Sequence, residues 1–185
     1  RIKVNKADKT SHLLNAKYFN ESDFQTYKIE LQCLYENTIA NANFNAQVLN
    51  LNTYVKLREA YGDNFIVKAY FIDNQLIGFL SALKNNSHLD AYFIGLNYDL
   101  NKIHAIYPRI LNDYVRLGIA NQASQINFGR TASEIKSTIG ATPEHLVCYT
   151  RHKHNLVNKL LKPFISKVKI KDYKEHRPFK KSNNP

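Results

Sequence analysis

The spacing of apolar positions predicts a helical first part of the chain. Glu21–Ile39 has apolar residues at near-helical intervals, which predicts a helix that Ser22 caps. Asn52–Tyr61 shows the same spacing, and Gly62 is placed to end that second helix. The residues before Glu21 are polar and predict no more than one short strand, Arg1–Asn5, followed by a loop.

The hydrophobic period changes from helical to alternating at Phe65. Three runs alternate and are rich in aromatic and β-branched residues: Phe65–Ile72, Leu76–Leu83 and His88–Ile94. The short polar segments between them, Asp73–Gln75 and Asn85–Ser87, are typical of turns. Strands joined by such short turns pair antiparallel, so the centre of the chain is predicted to be a three-stranded meander.

A polar loop, Gly95–Tyr107, is predicted to follow the meander and to lead into a helix. Pro108 is placed at the first helical position, where its missing N–H has no intrahelical acceptor to lose. The buried face of this helix is predicted to consist of Ile110, Leu111, Tyr114, Val115 and Leu117.

A second strand–helix–strand unit is predicted after this helix. Ile126–Phe128 reads as a short strand, and Thr131 with Glu134 has the spacing of a capping box. Gly140 would end that helix, and His145–Thr150 would form another strand. The sequence therefore predicts an α/β (α+β) fold, with a mixed sheet whose antiparallel meander is followed by β-α-β units.

Length and composition are those of one globular domain with an appendage. The 185 residues divide into a polar segment (1–20), a main domain (21–150) and a basic extension (151–185). Cys33 and Cys148 have no metal-ligand spacing, which favours a reducing cytosol over a disulfide framework. We see no membrane span and no signal peptide in the sequence, and the lack of methionine suggests a piece of a longer protein.

Positive charge is concentrated in the extension. The chain carries a net charge of +11, of which 151–185 contribute +9 through eleven Lys or Arg and two acidic residues. This extension is either a solvated terminus or a segment attracted to phosphate-rich partners. We expect the part beyond Lys162 to contribute little to the core, although Phe164–Ile170 could add an edge strand.

The predicted meander is the segment NFIVKAYFIDNQLIGFLSALKNNSHLDAYFIGL, and the helix after it is YPRILNDYVRLGIAN. These stretches resemble the central meander, and the helix after the cofactor strand, of the GNAT-type acyl-CoA N-acyltransferases; the resemblance covers roughly residues 20–150. INFGRT, followed by Lys136 and IGA, is similar to the Fem-like branch, whose better-known bacterial members build or modify cell-wall peptides. Fem-type proteins often carry two such domains, which implies a similar domain upstream of this one.

The resemblance implies an acyl donor with an anionic end, and the donor loop departs from the usual pattern. Acetyl-CoA-using members carry a glycine-rich loop before the helix, whereas GLNYDLNKIHAIYP has only Gly95 at its start. Lys102, His104 and Arg109 lie near the expected anion site, with free N–H groups expected around Arg109. Acyl-CoA therefore remains one donor, and aminoacyl-tRNA, which Fem-type enzymes use, is the other. No metal is implied.

The segment from Gly129 to Lys136 is the candidate for donor binding and proton transfer. The resemblance places Lys136 where a tyrosine often protonates the leaving group, so it could donate that proton or bind the donor's anionic end; otherwise it is a surface charge. Gly129 would allow a close backbone approach, and Arg130 suits a phosphate or carboxylate or pairs with Glu134. Thr131 is a helix cap whose amides could also bind an anion.

The acceptor side is predicted on the third meander strand. His88, Asp90 and Tyr92 alternate and share a face, so His88 and Tyr92 could bind the acceptor and Asp90, or a water, could be the base. The alternative is an ordinary covered sheet face. Tyr149 could replace the missing acid or be a core tyrosine. The histidines of HKH at 152–154 lack the other ligands that a metal site needs.

Three functions remain open on the sequence. The first is an N-acyltransferase that acts on an amine of a sugar, an amino acid or a cell-wall precursor. The second is a non-catalytic half that recognises substrate for a partner domain. The third is a nucleic-acid-binding module based on the basic extension, although only Tyr173 and Phe179 supply aromatic rings there.

Overall fold

The computed structural model describes residues 2–41, 48–147, 149, 151–165 and 172–179, which form two compact units, Arg1–Thr131 and Ala132–Pro185. The elements of the first unit are α1 (Ile2–Thr10), β1 (Asn15–Tyr18), α2 (Glu21–Thr26), α3 (Lys28–Ala40), α4 (Thr53–Tyr61), a 3-10 turn (Gly62–Asn64), β2 (Phe65–Ile72), β3 (Gln75–Asn85), β4 (His88–Leu96), α5 (Tyr98–His104), α6 (Ile106–Ala120) and β5 (Gln125–Asn127). The second unit contains α7 (Ser133–Ser137) and α8 (Asn155–Ile165).

The sheet of the first unit is mixed, as the sequence predicts. Its strands lie in the order β1-β2-β3-β4-β5. The first three pairings are antiparallel and include the predicted meander β2-β3-β4. The last pairing, between β4 and β5, is parallel, because the chain crosses over through α5 and α6 before it returns to the sheet.

Helices cover the two faces of this sheet and create two hydrophobic clusters. One cluster lies under α2, α3 and α4 and includes Phe24, Leu31, Tyr54, Phe65 and Phe79. The other lies under α6 and includes Tyr70, Leu80, Ile106, Ile110 and Tyr114. The alternation of β2 explains the division: Phe65, Val67 and Ala69 belong to the first cluster and Tyr70 to the second.

The connection between β4 and β5 differs from the predicted loop. Residues Tyr98–His104 form α5, because the Asn97 side chain caps it by accepting from the N–H groups of Asp99 and Leu100. The helix α6 then begins at Ile106, so Pro108 is its third residue instead of its first. The predicted apolar face is correct in outline: Ile110, Leu111, Tyr114 and Leu117 are buried and Val115 is half-buried.

Of the predicted second strand–helix–strand unit, the first strand is present as β5 and the helix as the short α7, and the last strand is not present in the described residues. The helix α7 is capped by the backbone of Ala132, which has a left-handed conformation and no side-chain cap, so the capping box of Thr131 and Glu134 does not form. The helix ends at Ser137, three residues before Gly140. In the predicted strand His145–Thr150, residues 145–147 and 149 are not in a strand, and 148 and 150 lie outside the described residues.

The predicted N-terminal strand is wrong, because residues Ile2–Thr10 form α1. This helix packs on α6: Asp8 pairs with Arg116 (2.6 Å), and the Asn112 side chain donates to the carbonyl oxygen of Val4 (3.3 Å). These tertiary contacts stabilise a helix in a segment whose own hydrophobic pattern predicts no helix.

The first predicted helix is divided in two. Tyr27 separates α2 from α3, and the cap is Asn20 instead of Ser22. The Asn20 side chain accepts from the Asp23 N–H, and the Asp23 carboxylate accepts from the Asn20 N–H, which makes a reciprocal capping box. The second helix, Asn52–Tyr61, is correct to within one residue, and Gly62 ends it as predicted.

In the described part of the extension, Asn155–Ile165 form the helix α8, whereas residues 151–154 and 172–179 are in neither a helix nor a strand. Phe164 lies within α8, so the predicted edge strand does not begin there; residues 166–170 lie outside the described part. The stretch 172–179 contacts the α7 segment, since the His176 N–H donates to Ser137 Oγ (2.9 Å). This part of the extension is therefore not simply solvated. Among the helices that are described, none combines the length and apolarity needed to cross a bilayer.

Candidate active site

The open edge of β4 is the first feature of the candidate site. The parallel strand β5 pairs with β4 at three positions, the last of which joins Asp90 to Asn127. The strand β4 continues to Leu96, so Ala91–Leu96 have no strand partner on this side among the described residues. Ligands of α/β sheets bind beyond the carboxyl ends of parallel strands, which makes this edge the place where the fold can receive one.

A bulge in β4 lies on the same edge. The register of β3 and β4 shifts between Leu80 and Ala82, where an advance of two residues along β3 is matched by three along β4. Ser81 therefore lies opposite both Tyr92 and Phe93, and its hydroxyl donates to the Phe93 carbonyl oxygen (2.6 Å). Bulges locally disrupt strand pairing and are frequent beside active sites, where they redirect side chains.

The bulge brings two neighbouring aromatic side chains to the face covered by α3 and α4. The Phe93 ring contacts Tyr35 (centroids 5.1 Å apart), and the Tyr92 ring lies 6.4 Å from that of Tyr54. The Tyr54 hydroxyl is 2.8 Å from Ser81 Oγ, and burial raises the pKa of Tyr54, so this phenol stays protonated. Tyr92 is 39% exposed, which leaves the end of this aromatic wall open to solvent.

The residues predicted for the acceptor side lie beside this wall. Leu89 belongs to the cluster under α6, so its neighbours His88 and Asp90 point to the opposite face, as their alternation predicts. Asp90 Oδ1 accepts from the Asn127 side chain (3.2 Å), whose own oxygen accepts from the Gly129 N–H (2.9 Å). Asn127, which the sequence did not single out, thus joins Asp90 to the end of β5.

Gly95 is buried beneath α3. A Cβ at this position would overlap the Phe79 ring and Leu34. The glycine therefore lets the helix approach β4 closely, which is a packing role that its sequence position did not reveal. The structure describes no ligand contact for it, and its predicted part in donor binding stays a prediction.

The first turn of α6 offers few free backbone donors. The Tyr107 N–H donates to the Asn101 side chain (2.8 Å), and Pro108 has no N–H. The Arg109 N–H, expected to be free, donates to the Ala105 carbonyl oxygen (2.9 Å). Lys102 is exposed on α5. This geometry is unlike the amide cradle that a diphosphate needs at a helix N-terminus.

The Arg109 side chain belongs to a buried charge cluster around Asp113. The Asp113 carboxylate contacts Lys68 (2.8 Å), Arg109 (3.1 Å) and Arg116 (2.7 Å) and accepts from the Tyr70 hydroxyl (3.0 Å). Burial alone would raise the pKa of this carboxyl, but the hydrogen bonds from Lys68 and Arg116 and the positive charges of Lys68 and Arg109 together lower it. Because its guanidinium is already paired with Asp113, Arg109 would bind an external anion less strongly than a free arginine.

Gly129, Arg130 and Thr131 follow β5 and are exposed. Gly129 has φ +75°, a conformation that L side chains rarely adopt, and no described atom would meet a Cβ there. Together with Asn127 and Asp90, this segment forms the end of the sheet at which β4 and β5 separate. The predicted roles of these three residues in donor binding stay predictions.

Lys136 belongs to the second unit and is 8% exposed, which excludes the alternative of a surface charge. Burial lowers its pKa from 10.5 to about 8. An amine with such a pKa can exchange a proton near neutral pH, which an ordinary lysine does poorly. Whether Lys136 shares a pocket with Arg130 of the first unit stays a prediction.

The other predicted residue of the second unit, Tyr149, is 93% exposed, so it is not a core tyrosine. Its role as a proton donor stays a prediction. The described residues contain no cluster of three His, Cys, Asp or Glu side chains that could hold a metal ion. Asp90, Tyr92 and the segment after β5 thus belong to the first unit, and Lys136 and Tyr149 belong to the second.

Several solved structures with a similar fold are acetyltransferases. A predicted acetyltransferase from Clostridium acetobutylicum with acetyl-CoA aligns with a TM-score of 0.58, at 9% identity, over 76% of this chain and 99% of that one. An aminoglycoside acetyltransferase from a soil metagenomic sample, in complex with sisomicin, aligns with a TM-score of 0.55, at 15% identity, over 78% and 98%.

A GNAT family acetyltransferase from Staphylococcus aureus aligns with a TM-score of 0.51, at 14% identity, over 75% of this chain and 98% of the other. No family model matches the chain, and no curated protein matches it either. At these identities the similarity establishes the fold, which is the GNAT fold, and not the activity.

Proposed function

We propose that the chain is an N-acyltransferase that transfers an acyl group from acyl-CoA, or from aminoacyl-tRNA, to an amine. The observation that carries this proposal is the open edge of β4, where Ala91–Leu96 continue past the last pair with β5 and include the bulge at Tyr92 and Phe93. An extended donor can lie along such an edge and bond to its backbone, as an added strand does. The proposal also draws on the acetyltransferases that share this fold.

The reaction needs a neutral amine, a polarised acyl carbonyl and a proton for the leaving group. The amine nitrogen attacks the carbonyl carbon, the bond from that carbon to sulfur or oxygen breaks, and the leaving group takes up a proton. We assign Asp90, directly or through a water, to accept the proton that the amine loses. We assign Lys136 to supply the proton to the leaving group, a role that suits its pKa of about 8.

The acceptor is proposed to be a small molecule or cell-wall precursor that carries an amine. Residues 151–185 contribute +9 of the net charge of +11, so the charge of the chain does not select an acceptor for the β4 site. His88 and Tyr92 are proposed to contact this acceptor. Tyr92 is open to solvent and could pack on a sugar ring or an apolar part of the molecule.

A second candidate is a non-catalytic recognition domain of a tandem Fem-like protein. The observation that favours it is the first turn of α6, where the Tyr107 N–H is bonded and Pro108 has none. A donor that needs amides for its diphosphate would bind weakly there. Such a domain would bind the acceptor without turning over any donor.

The test compares acetyl-CoA, CoA and aminoacyl-tRNA as ligands by thermal shift, since a ligand that binds only the native state raises its melting temperature. Turnover is then measured as thiol release or loss of the aminoacyl ester, with amine acceptors added singly. Asp90→Asn should lower turnover by about 100-fold, within the range of general base catalysis. Asp73→Asn, in an exposed turn with φ +46°, is the matched control. Binding without turnover for every donor and acceptor would favour the recognition domain.

A further inference from the structure

The stretch Asp172–Phe179 of the basic extension lies against the segment that carries Lys136. The His176 N–H donates to Ser137 Oγ (2.9 Å), and that hydroxyl donates in turn to the Glu134 carbonyl oxygen (2.6 Å). Ser137 is 1% exposed, so its hydroxyl depends on these two partners. The contact therefore joins the extension to the backbone of α7 through a buried side chain.

Two further contacts join the stretch 172–179 to Glu134 and Gly140, on either side of Ser137 in the chain. His176 Nε2 is 3.6 Å from a Glu134 carboxylate oxygen. Gly140 has φ +97°, and a Cβ built on it would overlap the Phe179 ring, so this ring, although the residue is 70% exposed, packs directly on the glycine. The three contacted positions, 134, 137 and 140, are three residues apart and bracket Lys136.

The helix α7 has little stability of its own. It has five residues, and its N-cap, Ala132, supplies no side-chain hydrogen bond. Isolated helices of this length do not form in water, because nucleation costs more than one turn of hydrogen bonds returns. Contacts from outside the helix must therefore hold it, and the stretch 172–179 supplies some of them.

We propose that residues 172–179 form a strap that fixes the Lys136 helix, and that His176 and Phe179 are positioning residues for Lys136. The strap acts through Ser137, Glu134 and Gly140. The functional part of this inference rests on the proposed role of Lys136 in acyl transfer; the structural part does not. Without the strap, α7 would fray and Lys136 would become exposed to water.

The experiment follows the titration of the Lys136 side chain by NMR in the full chain, labelled with ¹³C in its lysines. The Lys136 signal is assigned by its loss in Lys136→Met. We expect the wild type to titrate near its pKa of about 8 and Phe179→Ala to titrate closer to the ordinary lysine value of about 10.4. Ser137→Ala, which removes the acceptor for His176, should shift the titration in the same direction.

Two matched variants accompany these. Phe179→Leu keeps an apolar contact on Gly140 and should retain most of the wild-type titration. Lys174→Ala changes an exposed residue of the same stretch and removes a charge, so it controls for the basic character of the extension. It should leave the titration and the turnover unchanged.

Turnover, measured on the same variants as thiol release or loss of the aminoacyl ester, separates the strap from the proposed function. We expect Phe179→Ala to lower turnover by about tenfold, because Lys136 is proposed to supply the proton to the leaving group. A shifted titration in Phe179→Ala, with unchanged turnover in both Phe179→Ala and Lys136→Met, would support the strap and overturn the role of Lys136. An unchanged titration in both Phe179→Ala and Ser137→Ala would overturn the strap, whatever the activity of Lys136→Met.

Discussion

Burial of Lys136 works against the stability of the fold, because burial disfavours its charged form. Its pKa falls from 10.5 to about 8, so the folded state bears a penalty at every pH below about 8. Between pH 8 and 10.5 the unfolded chain binds more protons than the folded one, and stability rises with pH. A residue kept at such a cost is a candidate for function.

Lys136→Met should therefore stabilise the protein at pH 7. The shift of 2.5 units, from 10.5 to about 8, corresponds to a gain of up to about 3 kcal/mol. The gain should shrink between pH 8 and 10.5, where the wild type loses its penalty. Urea denaturation at pH 7, 9 and 10.5 measures both effects, with the exposed Lys174→Met as control. A Met variant less stable than the wild type at pH 7 would contradict this account.

At the scale of single residues, the sequence predicted the sheet face on which a side chain lies better than it predicted the residues that surround the side chain. The alternation of β4 placed His88, Asp90 and Tyr92 on one face, because successive side chains of a strand point to opposite faces whatever the rest of the chain does. The burial of Lys136 and the partners of Arg109 depend on residues far away in the chain. Arg109 contacts Ser11 across 98 positions, which no local pattern reveals.

Three elements meet at Asp113, and this cluster determines how α1 and α6 pack on the sheet. Lys68 comes from β2, Arg109 and Arg116 from α6, and Arg116 also reaches Asp8 of α1. The carboxylate is fully buried and neutralises part of three positive charges. Its removal would leave those charges facing one another away from water.

Asp113→Asn should cost roughly 3–5 kcal/mol of stability, as expected when one partner of a buried ion cluster is lost. The pKa of this carboxyl lies below its ordinary value, so the contribution is present above that value and is lost as pH falls through the folded pKa. Urea denaturation at pH 7 and at pH 3 should show a larger difference between wild type and variant at pH 7. Asp63→Asn, whose carboxylate is exposed beside Arg58, is the control and should change little.

The elements that the sequence predicted well are those whose pattern repeats over several residues. The strand Phe65–Ile72 has the predicted bounds, and α4 begins one residue later than predicted. The elements that it missed are short or depend on distant contacts. The helix α5 relies on the cap at Asn97, α1 on packing against α6, and the bulge at Tyr92 and Phe93 on the register of β3.

At the scale of the whole molecule, the fold bears on where a donor could bind, and the charge bears on the kind of partner. The fold supplies an open β4 edge, at which we propose that the donor binds, although a fold alone does not establish an activity. Of the net charge of +11, +9 lies in residues 151–185, so the charge favours phosphate-rich partners for that extension. The N–H groups of Tyr107 and Arg109, at the start of α6, already donate hydrogen bonds within the protein. A donor diphosphate would therefore be bound by side chains more than by the backbone of that turn.

The central claim is that the donor lies along the open edge of β4, and amide hydrogen exchange with and without acetyl-CoA or aminoacyl-tRNA tests it most directly. At saturating donor, exchange across Ala91–Leu96 should slow by about tenfold or more, because the donor excludes water from that edge. The central strand segment Phe65–Ile72, paired on both sides, serves as the reference and should not change. Saturable donor binding that leaves Ala91–Leu96 unprotected, with protection elsewhere, would contradict the claim.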